Sequence, residues 1–175
     1  MDELRPNDTS PVDRESAVAR GDKLELRVWL RLLTCANLIE QRVRAGLREA
    51  FDVTLPRFDV LAQLDRAPDG LTMGELSDRL MVSNGNVTGL VDRLVDEGLV
   101  ARVPSPQDRR RSRVKLAPAG KRSFDAMTPQ HERWVDDLFA GLSRPEMAQL
   151  LDLLAKLKQS VAQATKDDTT NGGKP

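Results

Sequence analysis

The segment from Leu71 to Leu116 constrains the fold of this 175-residue chain more than any other part of it. Thr72 and Glu75 have the T-x-x-E spacing of a capping box, which predicts the start of a helix. After a short connection, Ser83 is a good N-cap for a second helix, and Gly98 is a good terminator. Between them, apolar residues recur with helical spacing at Val87, Leu90, Val91 and Leu94. The segment therefore predicts two short helices joined by a tight turn.

Two short extended stretches follow these helices. Residues 99–103 and 113–116 alternate apolar and polar side chains, which predicts two strands. The polar, Arg-rich loop between them predicts a hairpin with a basic tip. Two helices joined by a turn and followed by such a hairpin make a winged helix-turn-helix. We therefore expect a mainly α fold with a small β-hairpin wing and a helical dimerisation region.

The dimerisation region is predicted from helices at both ends of the chain. A helix from Leu24 to about Phe51 is apolar around more than half its girth near residues 29–39, so we expect it to be buried on two sides. The last helix opens with a capping box at Ser143 and Glu146. Its apolar row is formed by Leu150, Leu153, Leu154, Leu157 and Val161. So many leucines on one face predict burial against a second copy, because each buried leucine contributes about 1.5–3 kcal/mol.

These patterns give the predicted domain boundaries. Residues 1–22 are expected to form a disordered arm, and residues 164–175 a disordered tail. Residues 23–55 and 118–163 are assigned to the helical dimerisation region, and residues 56–117 to the winged helix-turn-helix.

Composition narrows the class of protein. The single Cys and the acidic, polar N-terminus indicate a cytoplasmic protein without a signal peptide, and no apolar run approaches the ~18 residues needed to span a membrane. We expect no enzyme, because no nucleophile triad, phosphate loop or supported carboxylate pair is present. One His and one Cys do not supply a metal site, and no cofactor is expected.

Charge is focused in one place, although 27 basic and 27 acidic residues balance over the whole chain. Residues 102–115 contain six basic side chains and a single acidic one, as expected for a small DNA contact surface. The predicted DNA-binding residues are Ser83, Asn84, Asn86, Thr88 and Arg93 on the second helix, with Asp108, Arg109, Arg110 and Arg111 in the hairpin loop. Asn pairs well with adenine and Arg with guanine, while Arg also suits a narrow minor groove.

Some features of this surface have two interpretations. Gly85 and Gly89 either permit close approach of the helix to a DNA groove or reflect a loose first turn and packing against a neighbour. The Arg-rich loop is either a DNA contact or a solvated turn. Asp92 and Asp96 are unfavourable near phosphates unless only the N-terminal half of the helix enters the groove.

The segment LTMGELSDRLMVSNGNVTGLVDRLVDEGLVARVPSPQDRRRSRVKLAPAGK closely resembles the MarR family of regulators. D-R-R followed by V-K-L-A-P-A-G is similar to the family's D-x-R wing and its L-T-x-x-G ending, with Ala117 at the Thr position. The resemblance covers about residues 24–162. It implies a homodimer built by the first, fifth and sixth helices, a palindromic operator in double-stranded DNA, and a small-molecule effector held between the dimerisation region and the winged helix. It also implies that the chain represses transcription until the effector releases it.

A narrower resemblance concerns the effector. RVWLRLLTCANLIE, LPRFDVLAQL and VSNGNVTGL look similar to regulators of hydroxycinnamate catabolism that respond to p-coumaroyl- or feruloyl-CoA. An aromatic acyl group prefers an apolar slot with a few polar groups, and CoA phosphates prefer Arg. The effector site is predicted at Trp29, Arg31, Leu33, Asn37, Arg57, Phe58, Leu61, His131 and Trp134.

Other interpretations of these residues stay open. The aromatic side chains Trp29, Phe58 and Trp134 suit a plain core equally well, and His131 suits a surface or interface. A free phenolic acid, or oxidation of Cys35, is an alternative stimulus. The thiol lies in an apolar stripe, where it is usually inert. A helical interaction protein without DNA binding is the alternative outside gene regulation.

Overall fold

The computed structural model describes residues 24–104 and 112–171, with side chains up to residue 166. In these ranges the elements are α1 (Leu24–Phe51), α2 (Leu55–Asp65), α3 (Met73–Leu80), α4 (Asn84–Asp96), β1 (Val100–Pro104), β2 (Ser112–Leu116), α5 (Pro118–Phe139) and α6 (Arg144–Asn171). The predicted class, mainly helical with one antiparallel hairpin, is confirmed.

The two short helices begin and end as the sequence predicts. The capping box of α3 is complete: Thr72 Oγ1 accepts from the Glu75 amide at 3.2 Å, and the Glu75 carboxylate accepts from the Thr72 amide at 2.7 Å. These hydrogen bonds lower the pKa of Glu75. Met81 ends α3 in the left-handed conformation, with φ at 54°. α4 then begins after Ser83, so the turn between the helices is only three residues long.

The hairpin is anchored to the loop between α2 and α3. Leu71 and Val114 exchange backbone hydrogen bonds of 2.9 and 2.7 Å, adding a bridge to the edge of β2. Arg113 donates from Nε and Nη2 to the Gly70 carbonyl at 3.1 and 2.7 Å. These contacts fix the base of the hairpin against the helix-turn-helix.

The junction between the hairpin and α5 depends on Gly120. A Cβ on this residue would lie 1.9 Å from the Leu99 carbonyl oxygen, which accepts the Ala117 amide at 3.0 Å. No side chain fits in that space. The close approach explains why glycine stands at the end of the L-A-P-A-G motif.

The hydrophobic core lies within the compact unit that ends at Val135. Leu47, Leu61, Leu76, Leu94 and Met127 are at most 1% exposed. Further buried members include Val43, Phe58, Val60, Leu64, Leu71, Val87, Val91, Val100, Val114, Phe124 and Trp134. The core contains few aromatic rings and is built mostly from Leu and Val, as the composition requires.

A second compact unit begins at Asp136 and contains α6. The predicted capping box is present, since Ser143 Oγ and its amide donate to the Glu146 carboxylate at 2.6 and 2.8 Å. The helix continues to Asn171, whereas the sequence predicted a disordered tail from residue 164. Residues 146–171 contain no Gly or Pro, and Thr165 Oγ1 donates to the Val161 carbonyl at 3.0 Å. The prediction of a disordered tail, which rested on polar composition, is therefore wrong for residues 164–171.

Two other expectations concern the ends of the chain and membranes. The predicted arm over residues 1–22 lies outside the described residues. Within the part of the chain that is described, no helix is long and apolar enough to cross a bilayer.

Candidate nucleic-acid interface

The helix α4 separates an apolar face from an open polar face. Val87, Val91 and Leu94 are completely buried and hold the helix on the core. The predicted contact residues are all exposed: Ser83, Asn84, Asn86, Thr88 and Arg93. The structure therefore leaves all five side chains accessible, and four of them lie at the N-terminal end of α4.

The glycines of α4 face open space. A Cβ built on Gly85 or Gly89 meets nothing within 4 Å. Packing against a neighbour, which was the alternative explanation for Gly89, is therefore absent within the described part of the chain. The polar surface of α4 is therefore open at these glycines, and a flat or grooved partner can come close to the helix backbone there.

The start of α4 keeps hydrogen-bonding capacity available. Ser83 occupies the N-cap position, but its side chain makes no capping hydrogen bond. Thr88 Oγ1 donates to the Asn84 carbonyl at 2.8 Å, so its hydroxyl proton is used within the helix, while the oxygen lone pairs and the methyl group remain available to a partner. Uncapped amides at a helix N-terminus favour a phosphate oxygen.

Asp92 forms an ion pair, which answers the objection that its negative charge would repel DNA phosphates. Arg102 Nη2 on β1 donates to Asp92 Oδ1 at 2.6 Å. Arg113 is also engaged, with Gly70 and, at 3.4 Å, with Glu75. Two of the six basic residues counted between 102 and 115 therefore hold the hairpin in place. These pairings could not be predicted, because the partners meet only once the hairpin packs against the helices.

The hairpin loop carries the rest of the predicted interface. Asp108, Arg109, Arg110 and Arg111 lie outside the described residues, so their assignment stays a prediction. The strands on either side of the loop are in register, with Pro104 opposite Ser112.

Three of the predicted effector residues are core residues. Phe58, Leu61 and Trp134 are at most 6% exposed. Phe58 stacks on His131 at 4.6 Å between ring centroids, and burial lowers the pKa of that imidazole. Trp134 lies directly over Gly46, where a Cβ would approach its ring to 2.7 Å.

The remaining predicted effector residues are dispersed. Arg57 forms a two-point ion pair with Glu97, with Nη1 donating to Oε1 at 2.9 Å. Trp29 is 56% exposed on α1. Arg31 and Asn37 are also exposed, and Leu33 is half-buried. Within a single chain, the structure therefore shows a core cluster and an exposed face of α1 rather than one cavity lined by all nine residues.

A cavity of about 670 Å³ lies elsewhere, between α1, α2 and the helix-turn-helix. Its walls are Glu40, Arg44, Leu55, Pro56, Asp59, Leu80, Val82, Asn86, Val87 and Leu90. Burial, and secondarily the charge of Glu40, raises the pKa of Asp59. No pattern in the sequence predicted this site. The available sign was a carboxylate at Asp59 between the apolar residues Phe58 and Val60.

Cys35 is exposed in the single chain, although it belongs to the apolar stripe of α1. The expectation that the thiol is inert therefore depends on a partner covering that stripe. Its role as a redox sensor stays an untested alternative.

Comparison with known proteins identifies the family. A model of the MarR family matches residues 51–111. The chain is 32% identical over 146 residues to the transcriptional activatory protein BadR of Rhodopseudomonas palustris, covering 79% of this chain and 82% of that protein.

Solved structures give the same result. A MarR family transcriptional regulator from Silicibacter pomeroyi is 34% identical, with a TM-score of 0.66, over 78% of this chain and 94% of that one. A mutant of E. coli MarR complexed with operator DNA is 29% identical, with a TM-score of 0.67, over 78% and 99% of the two chains. The relatives named are regulators and not enzymes. Given the helix-turn-helix, the anchored hairpin and this similarity over most of its length, the chain belongs to the MarR family of transcription regulators.

Proposed function

We propose that this regulator binds a palindromic operator as a homodimer, with α4 entering the major groove and the β1–β2 loop lying beside it. The observation that carries the proposal is the open N-terminal half of α4. There Asn84, Asn86 and Thr88 are exposed, and Gly85 and Gly89 leave room for close approach. A recognition helix reads base edges from this end. The operator complex of the similar E. coli protein supports DNA as the partner.

Dimer formation is proposed from two apolar surfaces. On α1, Leu26, Val28, Trp29, Leu32 and Leu38 are each at least 39% exposed. On α6, Leu151, Leu153, Leu154, Leu157 and Val161 are each at least 38% exposed. Rows of this size are unfavourable in water and typical of helical subunit interfaces.

Selection of DNA duplexes from a random library tests the proposal. We expect the recovered sequences to share an inverted repeat, whose half-sites lie about one helical turn apart. Asn86→Ala should lower affinity for the selected duplex about tenfold or more, because a bidentate base contact is worth roughly 1–3 kcal/mol. Arg110→Ala should abolish binding if the loop enters the minor groove.

Arg122→Ala is the matched control, because it removes an exposed cation from α5. This variant should bind like the wild type, and all variants should have the mass of a dimer by light scattering. Recovery of no inverted repeat, or unchanged affinity of both test variants, contradicts the proposed interface.

We further propose that the chain represses genes of hydroxycinnamate-type catabolism. Binding of an aromatic acyl-CoA then releases the chain from its operator. The supporting observations are the three sequence segments that resemble such regulators. The Arg57–Glu97 ion pair weighs against Arg57 as a phosphate ligand, because a CoA phosphate would have to displace Glu97.

A thermal-shift screen of p-coumaroyl-CoA and feruloyl-CoA beside the free acids tests this proposal. Stabilisation by the thioesters alone, with release of the selected duplex, supports it. Stabilisation by the free acids indicates a phenolic-acid sensor instead. Release by peroxide, lost in Cys35→Ser, indicates the redox alternative. A reporter gene behind the selected duplex determines whether the chain represses or activates.

A further inference from the structure

We propose that Met81, in the turn between α3 and α4, contacts a thymine methyl group of the operator and so contributes to sequence selectivity. This contact rests on the proposed function, because it requires α4 to enter the major groove. Neither Met81 nor its neighbour Val82 is among the residues predicted from the sequence to bind DNA.

The backbone of Met81 is strained, and the fold does not require its side chain. Its φ of 54° lies in the left-handed region, which glycine adopts without strain and other residues adopt at a cost. Its amide donates to the Asp78 carbonyl at 3.3 Å, and glycine would donate equally well. The Met81 side chain is 88% exposed, more than any other large apolar side chain in the described part of the chain. Strain of this kind is typical of residues that act on a partner.

The position of this apolar patch indicates which partner covers it. The other exposed large apolar side chains lie on α1, α5 and α6 or in the turn between the last two, in the region predicted to form the dimer. Within residues 72–98, which form the helix-turn-helix, the exposed large apolar side chains are Met81 and Val82. The proposed partner of this part of the chain is the DNA duplex.

A buried hydroxyl group holds the turn in its conformation. Ser77, on α3, is 5% exposed, and its Oγ donates to the Val82 carbonyl at 2.5 Å. The Ser77 carbonyl accepts the Val82 amide at 3.3 Å. Two hydrogen bonds therefore fix Val82 on α3, so the backbone of the adjacent Met81 is held in place before DNA binds. A contact made from a preorganised backbone loses less entropy on binding.

Met81 is close enough to α4 to share its stretch of the groove. The Cα atoms of Met81 and Asn84 are at most about 11 Å apart, since three trans peptide units span no more. The major groove is about 12 Å wide, and the apolar group that it displays is the C5 methyl of thymine. The flexible thioether side chain of methionine adapts well to such an apolar target. The expected base is therefore a thymine beside the bases read by Asn84 and Asn86.

Single replacements of thymine by deoxyuridine in the selected duplex test the contact, because each removes one methyl group and no hydrogen-bonding atom. Fluorescence anisotropy measures the affinities. We expect at least one replacement in each half-site to weaken wild-type binding about three- to fivefold, the effect of leaving one methyl group unburied. In Met81→Gln, which keeps the length of the side chain but makes its end polar, this replacement should have no effect. Met81→Leu should keep the preference for thymine.

Met81→Gly tests whether the side chain serves the fold instead. We expect its Tm to rise by roughly 2 °C, because glycine adopts this φ without strain, and its preference for thymine to be lost. Asp52→Gly is the matched control, because Asp52 is the other described non-glycine residue with a positive φ, at 53°, and lies just after α1. Its exposed pair with Arg48 adds little to stability, and the variant should keep the preference for thymine.

Three results overturn the contact with thymine. They are a wild type indifferent to every replacement, a full preference for thymine in Met81→Gln and Met81→Gly, and a lower Tm in Met81→Gly. If any of them occurs while Asn86→Ala still lowers duplex affinity, DNA binding by α4 stands and the contact of Met81 alone is wrong. If no inverted repeat is recovered, the proposed function fails and this contact fails with it.

Discussion

Arg102 Nη2 lies 2.6 Å from Asp92 Oδ1, so a residue of β1 neutralises a carboxylate on the exposed side of α4. Both side chains are substantially exposed, and pairs of this kind add little to folding stability. Their effect is electrostatic. An unpaired Asp92 would oppose the approach of phosphates, and an unpaired Arg102 would favour it.

Asp92→Asn should therefore raise the affinity for DNA of any sequence. We expect a gain of roughly threefold at moderate salt and a log–log salt dependence steeper by about 0.9, because Arg102 becomes available for one further phosphate. Anisotropy titrations at several salt concentrations measure both. Asp125→Asn, which removes a carboxylate bonded to Lys121 on α5, is the control and should change neither. An unaltered slope for Asp92→Asn would show that Arg102 does not reach the DNA.

Gly46→Ala should destabilise the protein by about 1–3 kcal/mol, although alanine is the better helix former. Its Cβ would come within 2.7 Å of Trp134, which is buried and packs against Phe51. Gly74→Ala is the matched control in α3, because a Cβ there meets no atom within 4 Å. It should stabilise the protein by up to about 1 kcal/mol. Urea unfolding at one protein concentration compares them, and equal midpoints would contradict this description of the core.

Gly89→Ala should separate stability from DNA binding. The added Cβ contacts nothing within the chain, so the free energy of unfolding should rise by about 0.5–1 kcal/mol. Affinity for the selected duplex should fall nevertheless, because the backbone of α4 is then held further from the groove. Unfolding and anisotropy are measured on the same preparation. If affinity is retained, Gly89 has no part in close approach.

Asp59→Asn should stabilise the free protein at neutral pH but not in acid. The pKa of Asp59 is raised in the folded state, so folding favours its protonated form. The stability associated with that form is complete below the ordinary aspartate pKa of about 4 and is lost as the pH rises through the higher folded value. The amide of Asn does not ionise, so the variant has no such loss of stability as the pH rises. The difference in Tm between variant and wild type should thus grow from pH 4 upward, while Asp69→Asn shows none.

The elements of the DNA-binding region could be predicted because their signals are local. The capping residues Thr72 and Glu75 act within one helical turn, and the apolar spacing from Val87 to Leu94 reports one buried face. Such rules need no knowledge of the tertiary structure. The prediction from polar composition was wrong in α6 beyond residue 164, where the helix continues although the side chains are polar.

The cavity and the ion pairs could not be predicted, because each joins residues distant in the chain. Arg57 meets Glu97 and Arg113 meets Gly70 only once α2, α4 and β2 are packed. Counting charges along residues 102–115 therefore overstated the cations available for DNA. The aromatic residues assigned to an effector were open to two interpretations, and the burial of Phe58 and Trp134 favours the core.

The buried and exposed faces of α4 can change independently of each other, and this affects how regulators of this kind diverge. Core packing is carried by Val87, Val91 and Leu94, whereas positions 85 and 89 have no neighbours to accommodate. New side chains at the exposed positions 84, 86 and 88 likewise leave the core unchanged, and they lie on the surface proposed to read sequence. A paralogue can thus change its set of target promoters through one or two codons without compensating changes in the core. The same positions are the natural starting points for engineering a repressor with an orthogonal operator.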